Sequence, residues 1–166
     1  MSLPTRQDIN PWNDETDGQT ACEHYLGKSL EEAEAMLHED YWRYGEDLMY
    51  MGPVAFRFYL PAVAQVLRSG PPPAQGLIDW FASVLRIRLE KEPHGLVPVA
   101  QQLAALCDEV ATRWSRFNES DIYLFDKFQF SDEQGEWRKE REELFHSIEV
   151  RYGCLRDDFL RLEEGV

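Results

Sequence analysis

Two glutamate–histidine pairs have a spacing that could bind a metal ion. Glu143 and His146 form an E-x-x-H pair, which places a carboxylate and an imidazole on one face of a helix, as in metal-binding helical bundles. Glu34 and His38 are four residues apart and would share a face of another helix. If these helices face each other, the four side chains could form a metal site, so a small metal-dependent enzyme is one functional hypothesis.

The same pairs have an ordinary structural explanation, which we prefer. The sequence contains 31 acidic residues, so such pairs arise by chance as solvated helix neighbours with weak mutual attraction. A two-metal site of this kind also needs a second E-x-x-H motif, and the sequence has none. We therefore expect no cofactor.

Arg57 lies in the most unusual window of the sequence, where three aromatic residues surround one arginine and a proline stands near each end. Its planar guanidinium could bind an anion or a partner carboxylate. We favour a structural role instead, in which Glu46 or Asp47 pairs with Arg57 and neighbouring rings cover its stem. Arg57, Glu46 and Asp47 are kept as a candidate binding site.

Signals of nucleophilic catalysis and of phosphate binding are missing from the sequence. There is no G-x-S-x-G motif and no glycine-rich phosphate loop. The cysteines, Cys22, Cys107 and Cys154, are too few and too far apart for a disulfide framework, and no CxxC pair suggests zinc. The sequence therefore favours a protein that is not an enzyme.

The net charge of −14 bears on which partners the chain could bind. Residues 1–50 contain 12 acidic and 3 basic residues, a net charge of −9. Such a field repels nucleic-acid phosphates and anionic lipid headgroups, and it attracts cationic surfaces. We expect no nucleic acid and no membrane as partner.

The location expected from the sequence is the cytoplasm. The first 20 residues lack the basic stretch and apolar run of a secretory signal. No window approaches the roughly 18 consecutive apolar residues of a membrane span.

Bulky apolar residues at three- and four-residue spacing predict helices over most of the chain. A capping box, Ser29 with Glu32, marks the first start. Gly45 is expected to end or bend that helix, Pro61 to kink or split the second, and Gly153 to interrupt the last. The predicted helices cover about 30–44, 53–68, 74–91, 98–117 and the C-terminal part from about 131.

These patterns predict an all-α fold, a single compact domain of five or six helices packed as an irregular bundle. Residues 1–20 contain turn formers without an apolar period, so we predict a flexible N-terminal arm whose Trp12 could dock. Residues 21–166 form the helical domain. A homo-oligomer is possible, because the fourth helix could bury its stripe against another copy, but nothing indicates it.

The string FRFYLPA, with the preceding EDLMYMGP and GKSLEEA, resembles a family of uncharacterised, mainly bacterial proteins. The likeness covers roughly Tyr25 to Gly70, and the late YGCLRDDF is a weaker echo of it. The resemblance implies an architectural core element. It implies no activity, because no function accompanies the family, and no site residue is carried over.

The leading functional hypothesis is a binding or interaction protein that engages a basic protein partner, as an adaptor or an immunity-type protein does. Acidity that only confers solubility is the plain alternative. A mimic of DNA charge would require carboxylates in a phosphate-like double row, which the sequence alone does not reveal.

Overall fold

The computed structural model describes the backbone of residues 2–68, 75–125 and 134–164. Their side chains are described as well, except those of 75–76, 113–147 and 164. Within the described ranges the chain forms helices and turns without a strand, so the all-α prediction is confirmed. The helices are α1 (Arg6–Ile9), α2 (Asp17–Tyr25), α3 (Leu30–Glu39), α4 (Tyr41–Tyr50), α5 (Pro53–Arg68), α6 (Gln75–Lys91), α7 (Pro93–Leu96), α8 (Ala100–Phe125) and α9 (Gln134–Glu164), with a 3-10 turn at Val97–Val99.

The described residues contain nine α-helices, so the predicted number of five or six is wrong. The first predicted helix is divided between α3 and α4, because Asp40 leaves the helical region with φ −154° and ψ 88°. The Asp40 carboxylate then accepts a hydrogen bond from Arg43 N at 3.1 Å, which caps α4. Gly45, expected to end or bend the first helix, does not end it: it lies buried inside α4.

Two other expected interruptions do not divide their helices. Pro61 lies inside α5 and Gly153 lies inside α9, and both helices continue past them. The capping box at the start of α3 is confirmed: Ser29 Oγ accepts from Glu32 N at 3.2 Å, and Glu32 Oε2 accepts from Ser29 N at 2.9 Å.

The segment predicted as a flexible arm contains α1 and the beginning of α2. Thr5 and Asp8 form a capping box, in which Thr5 N donates to Asp8 Oδ2 at 2.8 Å and Asp8 N donates to Thr5 Oγ1 at 3.3 Å. Ile9 at the end of α1 is fully buried. A four-residue helix has too few apolar positions to show a period, so the sequence pattern gives no sign of it.

The contacts group the chain into two compact units. Unit 1 consists of residues 1–70 and 83–99, and unit 2 consists of residues 71–82 and 100–166. Helix α6 contributes its first half to unit 2 and its second half to unit 1. The expectation of one helical domain over residues 21–166 stays a prediction.

The core of unit 1 is rich in aromatic side chains, and tyrosine hydroxyls connect its helices. Tyr59 OH on α5 donates to Tyr25 O at 2.8 Å, and Tyr25 OH on α2 donates to Tyr44 O of α4 at 2.9 Å. These bonds satisfy polar groups that burial would otherwise leave without partners. The core also includes Ile9, Leu37, Leu48, Met51, Phe56, Leu60 and Val63.

In unit 2, α8 and α9 pack together along apolar faces. Tyr152 OH on α9 donates to the Ile78 carbonyl at 2.7 Å, which joins α9 to α6. At the surface, Arg156 Nη1 lies 3.0 Å from Asp108 Oδ1. The apolar stripes predicted for these helices are confirmed at the buried residues Leu103, Leu106, Val110, Ile148, Tyr152, Leu155 and Phe159.

Candidate binding cleft

Arg57 on α5 has a different partner from the one predicted. Its Nη1 donates to the Gly95 carbonyl oxygen at 2.6 Å. That oxygen is available because α7 is a single turn, whose last carbonyls have no acceptor role within the helix. Asp47 binds His24 instead, and Glu46 is exposed. The predicted pairing of Arg57 with Glu46 or Asp47 is therefore wrong.

Asp47 and His24 form a polar link between α4 and α2. His24 Nδ1 lies 2.7 Å from Asp47 Oδ2, and only 4% of Asp47 is exposed. The Tyr44 ring packs edge-on against the imidazole, with a centroid distance of 5.1 Å. Burial raises the pKa of Asp47 to about 6, although the hydrogen bond and charge of His24 act in the opposite direction. This link was not predicted, because its members are 23 residues apart.

The glutamate–histidine pair on α3 is open to solvent. His38 Nε2 lies 3.8 Å from Glu34 Oε1, too far for a hydrogen bond. Glu143 and His146 belong to α9, but their side chains lie outside the described residues. Among the side chains that are described, no three potential ligands come together at a metal site. The four-residue metal site stays a prediction.

Arg88 is a buried cation that the sequence analysis did not single out. Its side chain is 1% exposed, and it donates to the carbonyl oxygens of Leu48 and Met51 at the end of α4 and to the carboxylate of Glu92. The guanidinium carbon lies 4.1 Å from the centroid of the Phe56 ring. Burial lowers the pKa of Arg88 to about 10, and Glu92 partly offsets this effect.

The position of Arg88 gave a signal that could have revealed its burial. It continues the apolar stripe of Leu77, Phe81 and Leu85 at the next helical position. A charged residue on an apolar stripe needs hydrogen-bond acceptors in the interior. In this protein the free carbonyls at the end of α4 supply them.

Next to Arg88, unit 1 has an open cleft of about 320 Å³, which we call the Trp12 cleft. Apolar and aromatic side chains form much of its lining, and charged side chains from the loop before α2 and the end of α6 also line it. Its lining consists of Trp12, Asp14, Gly18, Met49, Tyr50, Ile87, Arg88, Lys91 and Glu92.

The loop that carries Trp12 is fixed on both sides of the tryptophan. Before it, Gly52 N at the end of α4 donates to the Ile9 carbonyl at 2.9 Å. A Cβ atom at Gly52 would lie 2.5 Å from Asp8 O, so the close approach requires glycine. After it, the Asn10 side chain bonds both backbone groups of Asp14, at 2.8 and 2.9 Å. The cleft wall formed by this loop is therefore held by a backbone hydrogen bond before Trp12 and by the Asn10 side chain after it.

Trp12 does not dock onto the core as the sequence suggested. It is 60% exposed, and Tyr50 in the same cleft is 38% exposed. Asn13, the next residue, has φ 54°, a left-handed conformation that asparagine tolerates better than most residues. The loop thus presents an indole to solvent beside a cavity.

Charges of both signs line the cleft, since Asp14 and Glu92 face it together with Arg88 and Lys91. Hydrogen bonds from Gly18 N and the Thr16 hydroxyl lower the pKa of Asp14, so this residue is ionised at neutral pH. Desolvation raises the pKa of Tyr50, and the charges of Asp17, Glu46 and Asp14 raise it further. Three carboxylates thus act electrostatically on the Tyr50 phenol, and Asp14 is the one that also lines the cleft.

Comparisons with protein-family models, with curated proteins and with solved structures found no match. The family resemblance of the FRFYLPA segment stays a prediction. Within that segment, Phe56, Tyr59 and Leu60 are buried in unit 1. In the described part of the chain, every helix is too short or too polar to cross a lipid bilayer.

Proposed function

We propose that unit 1 is a binding module that engages a basic protein partner through the Trp12 cleft and the carboxylates around it. An adaptor or an immunity-type protein would act in this way. The observation that carries the proposal is an exposed indole beside a cavity, on a loop held by hydrogen bonds on both sides of the indole and next to the ionised carboxylate of Asp14.

The charge distribution supports a cationic partner. Residues 1–50 have a net charge of −9, and they supply Trp12, Asp14, Asp17, Glu46 and Tyr50. A field of this sign accelerates encounter with a basic surface and slows encounter with an acidic one. Because exposed charges are screened by ions, such binding weakens as salt rises.

The aromatic side chains support a protein partner. Tryptophan and tyrosine are enriched among the few interface residues that contribute most to binding energy. Two tryptophans of unit 1, Trp12 and Trp42, are each 60% exposed. They differ in their surroundings: Trp42 stacks at 5.5 Å on Tyr41, whereas Trp12 adjoins the cleft. We assign the interface to Trp12.

The two tryptophans provide a matched test of this assignment. Both are equally exposed, so the same Trp→Ala substitution removes the same side chain inside the cleft and away from it. The full chain and its Trp12→Ala and Trp42→Ala variants would capture partners from host extract at low and moderate salt. We expect a basic protein that binds the parent chain in a salt-sensitive manner. With that protein purified, Trp12→Ala should weaken the affinity by about tenfold or more, and Trp42→Ala should leave it nearly unchanged.

Two exposed carboxylates test whether charge near the cleft attracts the basic partner. Glu46→Gln removes a charge that acts on Tyr50 in the cleft, and Glu39→Gln removes the charge of another exposed carboxylate, at the end of α3. Only Glu46→Gln should clearly slow association with the basic partner. The proposal fails if no salt-sensitive partner is captured, or if the two tryptophan variants bind it equally well.

A further inference from the structure

The lining of the Trp12 cleft combines apolar and aromatic surface with the ionised carboxylate of Asp14, and this combination restricts what can bind there. We propose that the cleft accepts one arginine side chain of the partner protein. The proposal rests on the proposed function and specifies the group that the cleft recognises.

The size of the cleft favours a single side chain. Its volume of about 320 Å³ is near the lower end of small-molecule pockets, which span roughly 300 to 1,000 Å³. A whole helix or strand would need a longer groove. A long side chain projecting from a partner surface fits this space.

The lining matches the stem and the planar head of arginine. Met49 and Ile87 offer apolar surface to a three-carbon stem. Trp12 and Tyr50 offer rings on which a guanidinium can stack, and tryptophan is the strongest of the cation–π partners. Arginine stacks on rings better than lysine because its guanidinium is planar and more weakly hydrated.

A carboxylate is positioned to pair with that head. The hydrogen bonds to Asp14 from Thr16 N, Thr16 Oγ1 and Gly18 N all end on Oδ1. They fix the orientation of the carboxylate, and we assign Oδ2 to the incoming guanidinium. Asp14 does not need to reorganise to accept it.

Two cations also line the cleft. Arg88 is buried and paired with Glu92, so its charge is largely compensated, whereas the ammonium of Lys91 repels an incoming cation. The proposal therefore predicts that removing this charge from the cleft strengthens binding. Lys91→Met should strengthen binding of an arginine side chain by about twofold to fivefold. Lys28→Met changes the net charge by the same amount at a site outside the cleft lining, so it is the control, and it should have little effect.

The experiment is a titration of the ¹⁵N-labelled full chain, followed through the five tryptophan indole N–H signals in NMR spectra. Trp12→Phe assigns the Trp12 signal. The probes are N-acetyl-arginine amide and its neutral isostere N-acetyl-citrulline amide. We expect the arginine probe to shift the Trp12 signal selectively, with the citrulline probe binding about tenfold more weakly.

Three outcomes would overturn the inference: no shift of the Trp12 signal with the arginine probe, equal shifts with both probes, or Lys91→Met no stronger than Lys28→Met. The first two outcomes do not affect whether a basic partner binds in a salt-sensitive manner. They would therefore reject the arginine site and keep the proposed function. Binding of the arginine probe without any basic protein partner would reject the proposed function and keep the arginine site.

Discussion

Two arginines of unit 1 both donate to backbone carbonyls, one in the interior and one nearer the surface. Arg88 is 1% exposed and bonds two carbonyls and a carboxylate, while its guanidinium also contacts a ring. Arg57 is half-buried and bonds the carbonyl of Gly95. Arg57 was selected from the sequence because its neighbours are unusual. In the structure, however, Arg88 has more hydrogen-bond partners than Arg57.

Two histidine–carboxylate pairs repeat this contrast. His24 and Asp47 are distant in sequence, nearly buried and 2.7 Å apart. Glu34 and His38 are one helical turn apart, Glu34 is partly exposed and His38 is exposed, and their side chains are 3.8 Å apart. We therefore expect the contribution of a polar residue of unit 1 to stability to depend on its burial and its number of partners, and not on local spacing.

The largest effect should come from the buried arginine. Arg88→Met leaves the carbonyls of Leu48 and Met51 and the Glu92 carboxylate without their donor, so we expect a loss of about 3 to 5 kcal/mol in the free energy of unfolding. Arg57→Met should cost about 1 kcal/mol. Urea unfolding of both variants measures these two losses in the free energy of unfolding. Equal losses would contradict the expected difference between Arg88 and Arg57.

The second effect is a pH dependence that originates at Asp47. Because its pKa is raised from 3.8 to about 6, the folded protein holds this proton more tightly than the unfolded chain. The stabilisation is complete below about pH 4 and is lost as pH rises through 6, on the order of 3 kcal/mol. Asp47→Asn should remove this slope in unfolding experiments from pH 4 to 7. The exposed control Glu34→Gln should retain it, and parallel curves for all three proteins would contradict the assignment.

Two glycines should respond to alanine with opposite signs. Gly52 is buried against the Asp8 carbonyl, where a Cβ would meet an atom at 2.5 Å, so Gly52→Ala should cost about 1 to 2 kcal/mol. Gly153 inside α9 faces open space, because a Cβ atom added there would meet nothing within 4 Å. Gly153→Ala should therefore raise stability by about 0.5 to 1 kcal/mol. Thermal unfolding decides the signs, and two losses would contradict this account.

The smallest effect should come from the exposed pair on α3. His38→Gln should change the free energy of unfolding by less than about 0.5 kcal/mol, because water screens the pair and the two side chains are flexible. His24→Gln removes the partner of a buried carboxylate and should cost clearly more. Similar losses in the two variants would mean that burial does not distinguish the pairs.

The long helices could be predicted from the sequence, because their apolar residues recur with the helical period. Leu103, Leu106 and Val110 of α8 are buried as predicted, and so are Phe56 and Leu60 of α5. Periodicity failed at short elements. It missed α1, and it joined α3 to α4 across Asp40, where a single capping residue interrupts an otherwise continuous pattern.

The cleft could not be predicted, because its parts are distant in the sequence. Trp12 and Lys91 belong to segments separated by several helices, and only tertiary packing brings them to one cavity. Local reasoning could assign acidity to residues 1–50 and note the tryptophan. It could not place Asp14 beside an indole, because that position depends on the loop bonds of Asn10.

The discontinuity of unit 1 along the chain determines how it can be dissected. A fragment that stops at residue 70 would lose Arg88, and with it the donor to the last carbonyls of α4. It would also lose Lys91, and so one side of the cleft. A polypeptide that retains the binding surface therefore has to extend to residue 99, and it then carries along residues 71–82, which belong to the other unit.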